Sequence, residues 1–288
     1  MIKGSIVNLT TPTHSDGSPD YEVLETLVDW HVDCGSSALI VGSALNQSSE
    51  MSIDERTEIL RRAIWQSDGR IDVIADLSSS RQEAVFDFAS AADEFGASAA
   101  LLTLPSPIGL SQNELFEYLR AVLELGGLPL IISDDLRASN SLPSIDVAAL
   151  SQISEIAGFI NYSANPIEGH IPELPSGFAL YSGDVASGCH RVLNGYAGIV
   201  SVVANIAPAL VHSLYSAAAS GDKKKAELLN ARLLPLVQVI LEEPNALPIK
   251  WALIEMGSIP EGSHPPSLLH TSDYADLRRA LRAALIPI

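Results

Sequence analysis

Apolar residues along this chain gather in short, nearly unbroken runs. Each run gives way to a stretch in which apolar positions recur three and four residues apart. The runs are "GSIVNL" (4–9), "SALIVG" (37–42), "IDVIA" (71–75), "SAALLTL" (98–104), "LPLII" (128–132), "AGFIN" (157–161), "FALYS" (178–182) and "GIVSVV" (198–203). A strand apolar on both faces is buried on both, as in a parallel sheet covered by helices. The intervening stretches carry helix signals. Pro19 and early acids open "SPDYEVLETLVDWHVDCG", and Gly35 ends it. Ser52 with Glu55 three residues on forms a capping box, and Gly69 closes that helix. "SQNELFEYLRAVLELGG" repeats the plan. Eight strand–helix alternations predict an α/β protein built as a (β/α)8 TIM barrel over residues 1–222. Beyond the eighth run the pattern is purely helical, over 207–219, 222–242, 246–256 and 271–284, with Gly221, Pro244 and "GSIPEGSHPPS" as breaks. The first of these closes the barrel, and residues 223–288 form a C-terminal helical extension.

Composition narrows the partners. The 288 residues are 47% hydrophobic and 18% charged, which suits a large core rather than disorder. The net charge of -18 excludes nucleic acid and anionic membrane as natural partners. An anionic ligand would need a local cation. No apolar run approaches the ~20 residues of a membrane span. The opening, with Lys3 followed by a strand-like alternation, does not resemble a signal peptide, so a cytoplasmic location is expected. Cys34 and Cys189 lie far apart in apolar or small-residue surroundings; reduced thiols are the plainer reading, and a disulfide stays open.

"GSIVNLTTP", "DWHVDCGSSALIV", "SGDVASG", "GIVSVVAN" and "EEPNALPIKWALIEMG" resemble the family of dihydrodipicolinate synthase and N-acetylneuraminate lyase across essentially the whole chain. The resemblance implies a barrel with a C-terminal helical extension, assembled as a dimer or a dimer of dimers. It also implies a pyruvate Schiff base on a lysine at the end of the sixth strand. A "GTTGE" loop after the second strand would hold the pyruvate carboxylate. The proton relay would use a Thr of that loop, a Tyr after the fifth strand and a Tyr from the neighbouring subunit.

Position by position, that chemistry is missing. The lysine position falls on Ile160, in "GFINYS". "GTTGE" aligns to "SALNQ", so both threonines are lost, at Ala44 and Leu45. The relay tyrosine falls on Ser133, and the paired tyrosines after the fourth strand fall on Ser106 and Pro107. Isoleucine offers neither a nucleophile nor a charge to class I aldolase chemistry. Expected ligand contacts are Arg137, where the family keeps a carboxylate-binding arginine, the turn at Ala44 and Leu45, and Asn161. Arg137 has an equally good reading as the counterion of Asp134 and Asp135.

Other candidates are weaker. Of Asp134 and Asp135, strand alternation lets only one face the barrel mouth. Asp184 reads as a helix N-cap. His190 reads as a packed or surface histidine, and His170 follows the sixth strand without a partner pattern. His14, Asp16 and Asp20 lack metal-ligand spacing. There is no P-loop, dinucleotide fingerprint or nucleophile elbow, so no cofactor and no metal are expected. The main expectation is a non-catalytic, ligand-binding or regulatory paralogue. It would bind a small oxo-acid or carboxylate and assemble as a homodimer or homotetramer, or with an active paralogue. Two alternatives remain: an active pyruvate-dependent lyase, and lysine-independent chemistry from Asp134, Asp135 and Arg137.

Overall fold

The computed structural model describes residues 1–43, 51–79, 82–103, 112–134, 147–163, 167, 174–242, 246–263 and 274–288. Eight parallel strands close into a barrel in sequence order. They are β1 (Gly4–Asn8), β2 (Ala38–Val41), β3 (Asp72–Asp76), β4 (Ala99–Thr103), β5 (Leu130–Ser133), β6 (Ile156–Asn161), β7 (Ala179–Ser182) and β8 (Gly198–Ser201). Helices α1 (Tyr21–Asp33), α2 (Ile53–Ser67), α3 (Gln82–Phe95), α4 (Gln112–Gly126), α5 (Val147–Leu150), α6 (Val185–Leu193) and α7 (Pro208–Ala219) surround it. Three more, α8 (Lys223–Leu241), α9 (Leu247–Glu255) and α10 (Ala275–Ala283), follow. The apolar runs therefore mark the strands to within one or two residues. The capping box is present as read: Ser52 Oγ accepts from the Glu55 N–H, and Glu55 Oε2 accepts from the Ser52 N–H.

Alternation along each strand makes two cores. Inward residues such as Ile6, Ile40, Ile74, Leu101, Ile131 and Ile160 fill the barrel. Outward residues such as Val7, Leu39, Val73 and Ile132 pack on helix residues including Leu27, Ile59, Phe88 and Leu119. The floor of the barrel is closed by Tyr181, whose phenol donates to the Ile2 carbonyl at 2.9 Å. Its ring needs glycine on both sides. A Cβ at Gly158 or Gly198 would sit 2.9 or 3.2 Å from it.

The C-terminal helices are tied back to the barrel. Lys250 in α9 is buried; its Nζ donates to Thr13 Oγ1 at 3.0 Å, and Thr13 Oγ1 donates to the Ser263 carbonyl. Burial lowers that amine to about 8. Among the described residues no helix is long and apolar enough to cross a membrane.

His31 makes stability sensitive to acid. It is fully buried in α1, with Nδ1 3.3 Å from Ser36 Oγ and its ring against Trp30. Burial lowers its pKa from 6.5 to about 3. Between those values the unfolded chain holds the extra proton. The histidine's contribution is therefore full above pH 6.5 and is lost as pH falls. By pH 5 the loss from this residue is about 2 kcal/mol. Urea midpoints at pH 7 and pH 5 should show it as a steeper acid loss in the wild type than in His31→Gln. Equal pH dependence would rule it out.

Candidate functional site

At the C-terminal ends of the strands, Thr103, Ser133 and Ile160 lie side by side in the sheet register, and all three face inward. Ser133 Oγ donates to Thr103 Oγ1 at 2.9 Å. Asp76 also points inward, two residues beyond Ile74, and is buried. Its Oδ1 accepts from the Ser78 N–H at 3.0 Å, and Ser78 Oγ accepts from the Thr103 N–H at 2.9 Å. Arg56 of α2 is buried behind this corner. Its Nε donates to the Gly42 carbonyl at 2.7 Å and its Nη2 to the Asp76 carbonyl at 2.5 Å.

The sixth strand decides what the mouth can do. Ile160 is 1% exposed and belongs to the inner core. The next side chain must then point out, and it does. Asn161 Nδ2 lies 3.4 Å from the Tyr196 hydroxyl, on the helix side of the sheet. The expected ligand contact from Asn161 is therefore misplaced, because alternation turns it away from the mouth. Tyr162 points back in, packed against the inner core. Its ring covers Gly183, where an added Cβ would lie only 2.2 Å from Cδ1. Burial, with the Asp76 and Asp134 carboxylates nearby, pushes its phenol above the ordinary tyrosine range.

Asp134 likewise follows an inward residue and serves the backbone. Its Oδ1 accepts from the Tyr162 N–H at 2.8 Å. Burial raises its pKa, opposed by the backbone N–H groups of Tyr162 and Ser163 and by Arg191. Arg191 of α6, 2% exposed, donates from Nη1 to the Asn161 carbonyl at 2.8 Å and from Nη2 to the Ser163 carbonyl at 2.5 Å. The end of β6 is thus held from both sides, and its inward turn is fixed.

No lysine lies on a barrel strand. Lys3 precedes β1 at the opposite end, Lys223, Lys224 and Lys225 open α8, and Lys250 lies in α9 against Thr13. Those five are all the lysines of the chain. Asp184 caps α6, accepting from the Ala186 and Ser187 N–H groups at 3.1 Å. His190 lies on the exposed side of α6 beside Asn194. His14 pairs with Asp20 at 3.5 Å, and Asp16 accepts from Ser18. Among the described residues no group of three or more His, Cys, Asp or Glu could hold a metal ion. Both cysteines are free thiols, Cys189 buried and Cys34 half-buried. Ala44, Leu45, Ser106, Pro107, Asp135, Arg137 and His170 lie outside the described residues.

Sequence and structure comparisons agree with this barrel. The model of the dihydrodipicolinate synthetase family matches residues 1–284. The chain belongs to that family. A 4-hydroxy-tetrahydrodipicolinate synthase from an Azoarcus species is 36% identical over 273 residues, 92% of each chain. One from Methylococcus capsulatus is 36% identical over 291 residues, 99% of each. The crystal structure of the Acinetobacter baumannii dihydrodipicolinate synthase, complexed with pyruvate, superposes with a TM-score of 0.88 at 32% identity. It covers 99% of this chain and 100% of that one. Within the family frame, the mouth of this chain offers hydroxyls, a phenol and a carboxylate, and no inward amine among the described residues.

Sequence reasoning missed Tyr162, Asp76, Thr103 and Arg191. The first was within reach. Counting by twos from Ile160 places residue 162 inside the barrel.

Proposed function

We propose that this family member does no Schiff-base chemistry and acts as a small-ligand-binding or regulatory paralogue, in a homodimer, a homotetramer or a mixed assembly with an active relative. The observation that carries the reading is Ile160. It stands inward at the end of β6, beside Ser133, with every lysine of the chain on another element. An aldolase of this class needs an amine to withdraw electrons covalently, and a hydrocarbon side chain cannot do it. Ser133 and Thr103 bond each other and offer no phenol for the relay. Arg137 and the turn at Ala44 and Leu45 are the contacts proposed for a carboxylate, and the cytoplasm the proposed location.

A second reading has its own support. Relatives 36% identical over nearly the full chain bear the name 4-hydroxy-tetrahydrodipicolinate synthase. Lys250, with its amine lowered to about 8, is the group such activity would have to recruit. One preparation separates the two readings. Light scattering should find a dimer or tetramer. The same peak, given pyruvate and an aldehyde acceptor, should turn over on the order of 10³-fold or more below an active family member. Turnover within tenfold of that enzyme would favour the lyase.

A further inference from the structure

We propose that Tyr162 is a built-in occupant of the barrel mouth, so that two positions, not Ile160 alone, keep an oxo-acid from reaching the end of β6. The inference rests on the non-catalytic reading and deepens it. The geometry comes from the strand itself. Ile160 faces inward, Asn161 outward, and Tyr162 inward again, directly above Ile160. Its ring then lies against Gly183, the residue after β7. Ring atoms Cδ1, Cε1 and Cγ fall 2.2, 2.4 and 2.6 Å from where a Cβ would be. Only glycine leaves that room.

The backbone at the root of the ring is held from both sides. The Tyr162 N–H donates to Asp134, and Arg191 grips the carbonyls on either side, at Asn161 and Ser163. These bonds fix the backbone that carries the ring, through one buried arginine and one half-buried carboxylate. The Asp76 and Asp134 carboxylates beside the phenol add an electrostatic barrier to any anionic oxo-acid that would displace it.

The test restores the amine and then removes the ring. In Ile160→Lys the new amine can attack the keto carbon of pyruvate, expel water and form an imine. Hydride from borohydride then reduces the C=N bond to a stable secondary amine. Trapped adduct is quantified by peptide mass at position 160. The single variant should trap poorly, and Ile160→Lys with Tyr162→Ala at least tenfold more. Ile160→Lys with Tyr162→Phe should behave like the single variant, because bulk and not the hydroxyl blocks the site. Equal trapping with and without the ring would overturn the proposal. A second measurement needs no destabilised variant. Spectrophotometric titration of the wild type and Tyr162→Phe should show the same number of tyrosines ionising near pH 10. One fewer in Tyr162→Phe would put the ring in solvent and sink the idea. Neither outcome depends on whether the wild type forms an adduct of its own, so the two failures stay distinguishable.

Discussion

Replacing Arg191 by leucine is expected to destabilise the chain by about 3–5 kcal/mol, among the largest effects of any single substitution outside the apolar core. The guanidinium is buried and supplies donors to two buried or half-buried carbonyls, at Asn161 and Ser163. Leucine fills much of the volume but donates nothing. Each carbonyl left without a donor costs about 1–3 kcal/mol. Asp134, already raised by burial, also loses the positive charge that offsets it. Arg191→Lys should recover part of the loss, since a single ammonium cannot fork onto both carbonyls. Urea denaturation of the three proteins checks this. A loss below ~1 kcal/mol in Arg191→Leu would mean the β6 turn is held by something else. Because the same arginine fixes the backbone beside Tyr162, the leucine variant should also loosen the mouth.

The fold was legible because its signals are local and repeated. Eight apolar runs of five to seven residues, separated by capped amphipathic stretches, leave few architectures other than a closed parallel barrel. Ser52 with Glu55 and Asp184 did what those residue types do at helix starts. Ser133 and Ile160, two of the three residues expected to converge at the mouth, are register partners on β5 and β6, and Ala44 lies outside the described residues. What was not legible depended on direction or on burial. Asn161 was read as a ligand contact because it ends a strand. Yet with Ile160 inward, the pleat sends Asn161 out to Tyr196. Asp134 was weighed as a possible base, but it follows inward Ser133 and turns to the β6 backbone. Arg191 and Arg56 gave no signal at all. A helical arginine reads as a surface residue until tertiary packing brings carbonyls to it.

The central claim is that this barrel cannot form a pyruvate imine, and borohydride trapping on the unaltered chain tests it most directly. The expected effect is complete: no mass increase at saturating pyruvate, against one reduced adduct per chain in a lysine-bearing family member. An imine needs a neutral amine within reach of a bound keto carbon. Lys3, Lys223, Lys224 and Lys225 lie on elements away from the mouth. Lys250 carries an amine lowered to about 8, so a fraction is neutral at pH 7.5, but it is buried and spent on Thr13. Raising the pH to 8.5 would neutralise more of it, which makes the test stricter. An unchanged mass at both pH values is the predicted result. A stoichiometric adduct, mapped by peptide mass to Lys250, would contradict the account and return the chain to the active lyases of its family.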